Sequence, residues 1–373
     1  MEATVKRLSL PVLIAIALPL FPAHAFASHE ADAGDAPSPR PSLSVEFTDE
    51  EAQEALEYWT PERRGQAQSA VFPTTPESGP HDVSLDGELV TPRSLAPSAA
   101  PPTSPQTDAL GRSSLEGLQT SADLSTAQRW NYNWGYPPSS TIGKLYAVTT
   151  SGDPQICTAS VINTPHGSAL WTAAHCIYEP FAGAYTNVVF EPQVRDGLGQ
   201  RGTWSALEIF VPPEWAQTGE WRYDIGLVLT APGGENDQSL EAELGSQGYD
   251  FGHGWDPDSY GASPESNAVN FGYPLEGYNR DDFDGGDLWY CTGLPDANPS
   301  TPGRLSEGRM SCDMGRGASG GPWISRLHPV EGTGTIIGSN SHYNTDPEGE
   351  RIDGSVYSGS HDILATALIS NAR

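Results

Sequence analysis

The stretch WTAAHC, residues 171–176, places a histidine directly after a run of small and apolar residues. Such a run predicts a buried strand, and His175 lies where that strand would emerge from the core. A single histidine in this position is as consistent with a structural role as with a chemical one. The stretch therefore has to be considered together with two others further along the chain.

These two stretches carry an acid and a nucleophile. In YDIGLVL, residues 223–229, Asp224 begins an apolar strand, where its carboxylate could be buried if an imidazole N–H satisfied it. Taken alone, Asp224 could equally be a turn residue, because aspartate often precedes strands. In GRGASGGP, residues 315–322, glycines surround Ser319 and allow the backbone to turn sharply beside a reacting atom.

Together the three residues supply what a serine nucleophile needs. A serine hydroxyl is a poor nucleophile until a base takes its proton, and that base needs an anion that holds its tautomer and stabilises its charged form. Ser319, His175 and Asp224 can fill these three roles. The sequence therefore predicts acyl transfer through a covalent intermediate.

The chain around these residues has the pattern of an all-β protein. Beyond about residue 142, short apolar runs alternate with Gly, Pro, Asn and Asp, which favours a sandwich or barrels over a wound α/β sheet. One helix is predicted at the C-terminus, capped by Ser360 and with an apolar face that includes Leu364 and Leu368. The candidate strands are 145–149, 157–163, 169–174, 187–190, 204–211, 225–230, 268–273, 288–292, 309–312, 322–326, 335–339 and 355–357.

The motifs TAAHC, DIGLVL and GxSGGP, in this order, resemble those of the trypsin/chymotrypsin-like serine peptidases, from about residue 142 to the C-terminus. The resemblance implies two six-stranded antiparallel β-barrels with the active site between them. It also implies a serine endopeptidase in which His175 is the base, Asp224 orients it and Ser319 is the nucleophile. Trypsin-type zymogens carry an aspartate directly before the nucleophile, where this chain has Ala318. In this respect it is similar to the bacterial secreted branch related to the glutamyl-endopeptidase group.

The same resemblance assigns further residues. The backbone N–H groups of Gly317 and Ser319 would form the oxyanion hole, and Ser341 would lie beside the triad where an extended substrate binds. Four cysteines in an exported chain allow three pairings. The resemblance implies two of these bonds, Cys157 with Cys176 and Cys291 with Cys312.

The residues leave the preference at the scissile bond open. Asp313 lies six positions before Ser319, where trypsin carries the carboxylate that selects Arg or Lys. Arg316 and His342 could instead present positive charge to an acidic substrate. The glutamyl-specific branch, however, carries a histidine where this chain has Asn340. Both a basic and an acidic preference therefore remain as hypotheses.

The first residues predict export. Lys6 and Arg7 precede an apolar run over 8–21, and small residues follow, so residues 1–27 are predicted to be a signal peptide cleaved after Ala25 or Ala27. The apolar run is shorter than the ~20 residues that a membrane-spanning helix needs. The mature protein is therefore expected to be secreted and extracellular.

Residues 28–128 are rich in Pro, Ser, Ala and acidic side chains and are predicted to be a largely disordered propeptide or linker. One island differs, because Thr48 and Glu51 have the spacing of a capping box before Ala52, Ala55 and Trp59. A short helix near 48–59 is therefore predicted. The protease domain would then comprise residues 129–373.

The charge balance excludes two classes of partner. The formal net charge is −29, and Lys6 and Lys144 are the two lysines of the whole sequence. Nucleic acids and anionic membranes are bound through clustered Lys and Arg, so neither is expected as a partner. The expected partners are polypeptide substrates, and the expected state is a monomer without a cofactor or metal.

Three alternatives stay open at this point. GASGG also fits the nucleophile elbow of α/β-hydrolases, and an esterase could then use Asp353 and His361. A protease-like binding protein without activity would keep the same motifs without the same geometry. The acidic stretch 281–287 offers several oxygen ligands for calcium, although its spacing fits no defined calcium loop.

Overall fold

The computed structural model of the protein describes residues 42–69, 94–99, 124–132, 134–252, 255, 267–301, 303 and 305–372. All of them belong to one compact unit, residues 39–373. The predicted signal peptide, residues 1–27, lies outside the described residues. Among those that are described, no helix has the length and apolar character needed to cross a membrane.

The N-terminal segment, defined here as residues 42–69, is folded. Both capping-box hydrogen bonds form at the start of its first helix: Thr48 N–H donates to Glu51 Oε2 at 2.8 Å, and Glu51 N–H donates to Thr48 Oγ1 at 3.2 Å. Trp59 at the end of this helix is 3% exposed, and its indole N–H donates to Asn187 O at 2.6 Å. The elements up to residue 129 are β1 (Leu43–Glu46), α1 (Asp49–Tyr58), α2 (Pro61–Gln66), β2 (Gln68–Ser69), β3 (Ser94–Ala96) and β4 (Leu124–Arg129).

The next strands form a closed barrel. Six of them pair in the order β5-β6-β7-β12-β11-β10, and β10 pairs with β5 to close the circle, with every pair antiparallel. Every residue of β5 is buried, because one face lines the barrel core and the other is covered from outside. The elements are β5 (Ile142–Val148), β6 (Pro154–Ile162), β7 (Ala169–Thr172), β8 (Tyr178–Glu179), β9 (Gly183–Ala184), β10 (Thr186–Pro192), β11 (Trp204–Val211), α3 (Pro213–Thr218), β12 (Gly226–Thr230) and α4 (Leu240–Leu244).

The second half is also built from strands. A seven-stranded sheet has the order β3-β13-β19-β18-β14-β15-β4, and a three-stranded sheet has the order β16-β17-β20. Strand β17 lies beside β15 and β20 beside β19, so the small sheet borders the larger one. The elements are β13 (Gly248–Phe251), β14 (Ala268–Gly272), β15 (Trp289–Gly293), β16 (Asp296–Ala297), β17 (Gly308–Ser311), β18 (Pro322–Ser325), β19 (Thr335–Ser339), β20 (Ser355–Ser358) and α5 (Ile363–Ile369).

The all-β prediction with a C-terminal helix is confirmed. The first barrel is closed, whereas the hydrogen-bonded strands of the second half are divided between two sheets. Helix α5 begins two residues later than predicted: Asp362, not Ser360, is its N-cap and accepts the N–H of Leu364.

The described parts of the predicted linker differ from the prediction, because they add strands to both halves. Strand β1 pairs with β11, with Leu43 opposite Val211, and β4 pairs with β15. Leu43, Val45 and Phe47 pack against the main core. The composition of the segment gave no sign of this docking, since the apolar surface that receives it belongs to distant strands.

Two disulfides link neighbouring elements, and they are the two pairs that the resemblance implied. Cys157 in β6 is bonded to Cys176, directly after His175. Cys291 in β15 is bonded to Cys312 at the end of β17. The first bond fixes the turn that carries the histidine to the wall of the first barrel.

Candidate active site

The first barrel brings His175 and Asp224 together. Strand β7 ends at Thr172, and the short 3-10 turn Ala174–Cys176 follows it directly. Strand β12 starts at Gly226, which pairs with Thr172. Because the two strands are antiparallel, the end of one and the start of the other lie at the same edge of the barrel.

At this edge the imidazole and the carboxylate are in direct contact. His175 Nδ1 lies 2.7 Å from Asp224 Oδ2, and the backbone N–H of His175 donates to Asp224 Oδ1 at 2.8 Å. Ser341 Oγ from the second half donates to Asp224 Oδ2 at 2.6 Å. The carboxylate fixes the Nδ1–H tautomer, so that Nε2 carries the basic lone pair.

Asp224 is kept ionised despite being fully buried. Burial alone would raise the pKa of Asp224, but the attraction of His175 and the hydrogen bonds from His175 and Ser341 outweigh it. The pKa of this carboxyl therefore lies below its ordinary value. A carboxylate in this state can stabilise an imidazolium that forms beside it.

The glycine-rich loop around Ser319 comes from the second half and rests on β6. Thr158 N–H donates to Ser319 O at 2.7 Å, and Thr158 Oγ1 donates to Gly317 O at 2.9 Å. Gly317 has φ +90°, and a Cβ there would lie 2.6 Å from Tyr273 O. Only glycine therefore suits this position.

The backbone N–H groups of this loop differ in whether they have an acceptor. Ala318 N–H is used within the loop, since it donates to Gly315 O at 3.1 Å. The N–H groups of Gly317 and Ser319 find no acceptor among the residues that the structure describes. Two such donors next to a nucleophile can hold a negative charge that develops on a carbonyl oxygen.

Asn340 anchors this loop, a role that sequence reasoning missed. Its side-chain amide donates to Ala318 O at 3.0 Å and to Asn270 Oδ1 at 2.8 Å, and the backbone carbonyl of Asn340 accepts the N–H of Gly320 at 2.6 Å. Trp323 Nε1–H donates to its Oδ1 at 2.8 Å. A buried amide with every group satisfied rigidifies its surroundings. The sequence gives no local signal for it, because all partners except Gly320 and Ala318 lie on separate strands.

A cleft of about 210 Å³ opens beside Ser319. Ser341, predicted to lie where a substrate binds, is one of the residues that line it. The larger side chains of the lining are Met314, His342, Tyr343 and Val356.

The structure does not bring Asp313 to this cleft. Arg280 Nη1 donates to Asp313 Oδ2 at 3.0 Å, and the backbone N–H of Ala127 donates to Oδ1 at 2.7 Å. Both carboxylate oxygens are thus engaged, one by a backbone N–H of β4 and the other by Arg280. The spacing between Asp313 and Ser319 in the sequence could not predict these partners, because β4 lies largely within the predicted linker.

The two candidates for a positive rim are also engaged. Arg316 Nε lies 3.2 Å from Glu276 Oε1. His342 is stacked between Trp221 and Tyr357, with ring centroids at 4.9 and 5.1 Å. Burial lowers the pKa of His342, which favours its neutral form.

The residues that the esterase and calcium hypotheses need are engaged in other contacts. His361 Nε2 accepts the indole N–H of Trp171 at 2.9 Å in the core, and Asp353 Oδ1 accepts the N–H of Ser355. In the acidic stretch, Asp282 pairs with Arg280 and Asp287 with Arg129. Together with the all-β fold, the position of His361 removes the α/β-hydrolase hypothesis.

Solved structures of other proteins have a fold similar to that of this chain. A protease called Anisep from Arthrobacter nicotinovorans is similar at 23% identity and a TM-score of 0.53, over 66% of this chain and 98% of that one. A thermostable serine protease, AL20, from an extremophilic microorganism is similar at 21% identity and a TM-score of 0.51, over 63% of this chain and 97% of that one. A Glu endopeptidase is similar at 17% identity and a TM-score of 0.45, over 68% of this chain and 97% of that one. No protein-family model matches the sequence, and no curated protein matches it. At these identities the likeness concerns the architecture, and this chain has the fold of the trypsin-like serine proteases.

Proposed function

We propose that the protein is a secreted serine endopeptidase that hydrolyses peptide bonds through an acyl-enzyme. The observation that carries this proposal is the contact of His175 Nδ1 with the fully buried carboxylate of Asp224, at 2.7 Å. Burying a carboxylate is costly. Its contact with Nδ1 of His175 therefore indicates that the other imidazole nitrogen, Nε2, acts as a base. The glycine-rich loop of Ser319 supplies a nucleophile next to two N–H donors.

The proposed reaction has two steps. Ser319 Oγ attacks the peptide carbonyl carbon while His175 Nε2 takes the hydroxyl proton, and the carbonyl oxygen becomes an oxyanion held by the N–H groups of Gly317 and Ser319. When the C–N bond breaks, His175 returns the proton to the leaving amine and an ester of Ser319 remains. Water then attacks this ester with His175 again as base, and Ser319 is released.

The remaining expectations become part of the same proposal. Removal of residues 1–27 during export is supported by the charged start and apolar run of that stretch. The two disulfides are typical of a compartment where thiols are oxidised. Polypeptides are the proposed substrates of a monomeric enzyme. The described residues of the N-terminal segment do not line the cleft beside Ser319.

The test is chemical labelling of Ser319 together with peptide cleavage. The secreted protein and its Ser319→Ala variant are treated with a fluorophosphonate, which reacts with activated serines, and the modified peptide is identified by mass spectrometry. We expect labelling of Ser319 and peptide hydrolysis in the wild type, and neither in the variant at equal melting temperature. A wild type that neither reacts nor cleaves would favour the protease-like binding protein.

A further inference from the structure

We propose that the cleft beside Ser319 accepts a small, uncharged side chain at the substrate residue before the scissile bond, and that Tyr343 is the residue that sets this limit. This inference rests on the proposed function and adds a substrate class to it. Three features of the cleft support it. The charged residues around the cleft are engaged by other groups, large side chains limit its volume, and the ring of Tyr343 is held in place.

The charged residues around the cleft are engaged in pairs. The carboxylate of Asp313 is taken by Arg280 and by a backbone N–H of β4, so it cannot serve a substrate Lys or Arg. Arg316 is paired with Glu276, and His342 lies buried between two aromatic rings. A charged substrate side chain would therefore lose its hydration without gaining a partner, which costs several kcal/mol.

The space is limited by large side chains on the walls. Of the lining residues, Met314 is fully buried and Val356 is 4% exposed. The 210 Å³ of the cleft include its open mouth, and the centre of a water-sized molecule can occupy only about 10 Å³ of this space, roughly the room that a single water needs. Tyr343 is one of the residues that line the cleft, and in this proposal its ring fills space that a glycine or alanine would leave open.

Tyr343 is held at both ends and cannot easily swing aside. Its hydroxyl donates to Glu276 Oε1 at 2.9 Å, the same oxygen that pairs with Arg316. The guanidinium of Arg351 lies 4.7 Å from the centre of its ring. Moving the ring would break both a hydrogen bond and a cation–π contact.

Arg351 is itself immobilised by the walls of the cleft. Its Nη2 donates to Cys312 O at 2.7 Å and to Ser355 O at 2.9 Å, and its Nη1 donates to Met314 O at 2.7 Å and more weakly to Asp313 O at 3.3 Å. Its Nε donates to Asp353 O at 2.8 Å. One guanidinium thus fastens the loop after β17 to the start of β20, and the ring of Tyr343 rests on it. Arg351 acts as a positioning residue and Tyr343 as the residue that meets the substrate.

The experiment is a peptide library that differs at the residue before the scissile bond, with cleavage sites read by mass spectrometry. We expect the wild type to cleave after Ala, Gly or Ser. Tyr343→Ala should raise kcat/KM for a Leu or Phe peptide, relative to the Ala peptide, by about tenfold or more. Tyr343→Phe keeps the ring and should keep the wild-type profile. Tyr278→Ala is the matched control, because Tyr278 also lies over Arg351, at 5.7 Å, but does not line the cleft.

Fluorophosphonate labelling of Ser319 separates the two ways in which this experiment can fail. If Ser319 is labelled but the wild type prefers Arg, Lys, Glu or an aromatic residue, the small-residue proposal is wrong while the protease stands. An unchanged profile in a folded Tyr343→Ala variant would likewise overturn the role of the tyrosine. If Ser319 is labelled neither in the wild type nor in any of these variants, the proposed function is wrong, and the proposed specificity is wrong as well.

Discussion

Asp224 and Glu191 are carboxylates buried in the first barrel, and their nitrogen partners differ. Asp224 contacts the imidazole of His175, which can gain and lose a proton, and the hydroxyl of Ser341. Glu191, 7% exposed, contacts the guanidinium of Arg64 and, at 3.2 Å, the hydroxyl of Tyr146. In the proposed reaction the first carboxylate balances a charge that appears on His175, whereas the second balances the permanent charge of Arg64.

The Glu191 region joins the N-terminal segment to the barrel. Arg64 reaches from the end of α2 to Glu191 and also donates to Thr203 Oγ1 at 3.0 Å. Beside this pair, Trp59 packs on Tyr146 with ring centroids 5.1 Å apart. If the proposed function is right, the contact of His175 with Asp224 serves the reaction, whereas the Glu191 region attaches the N-terminal segment. Mutations should therefore separate activity from stability.

The largest effect is expected at the triad. Asp224→Asn keeps the shape of the side chain but removes the charge and favours the wrong tautomer of His175, so kcat/KM should fall by about 10⁴. Peptide hydrolysis per amount of folded protein, with folding checked by melting followed by circular dichroism, tests this. Glu191→Gln serves as the control and should retain near-wild-type kcat/KM in the folded protein. Equal losses of activity in both variants would remove the distinction between the two carboxylates.

The second effect concerns stability. Glu191→Gln leaves Arg64 and the neighbouring Lys144 without their buried anion, and breaking such a pair from one side costs about 3–5 kcal/mol. Urea unfolding in a Ser319→Ala background, which prevents self-digestion, measures the loss. Glu54→Gln on the exposed face of α1 is the matched control and should change the unfolding free energy by less than about 0.5 kcal/mol. A Glu191→Gln protein as stable as this control would show that the segment is attached by other contacts.

The same contrast explains what the sequence could predict. The motifs around His175, Asp224 and Ser319 have residue types that chemistry requires at fixed places, so the candidate site could be named without a structure. The all-β fold followed from short apolar runs between turn residues, and the helix near 48–59 from a capping box whose partners are three residues apart.

The rest depends on partners that are distant in the sequence. Asp313 has the position of a pocket base, yet Arg280 and a strand amide from residue 127 engage it. Tyr343 carries no motif, and its place in the cleft depends on Glu276 and Arg351. The docking of the N-terminal segment depends likewise on a surface formed by other strands. Each of these contacts exists only after the sheets have assembled.

The smallest expected effect is a pH dependence of the free energy of unfolding, caused by Lys144 beside Glu191. Lys144 lies opposite Glu191 on β5 and is 7% exposed. Burial lowers the pKa of Lys144 to about 8, against the partial opposition of Glu191, Asp284 and Asp287, and the charge of Arg64 lowers it further.

In the unfolded chain a lysine titrates near pH ~10.4, so between pH 8 and that value the unfolded state binds more protons than the folded state. The contribution of Lys144 to the free energy of unfolding therefore rises with pH over this window, by on the order of 1 kcal/mol per pH unit at most. Lys144→Met removes the titrating group and should lose this rise. Urea unfolding of both proteins at pH 7.5, 8.5 and 9.5, in the Ser319→Ala background, measures the difference, in which the titration of buried tyrosines cancels. Parallel pH profiles would mean that Lys144 keeps its proton in the folded protein, and Glu191 would then balance two permanent cations instead of one.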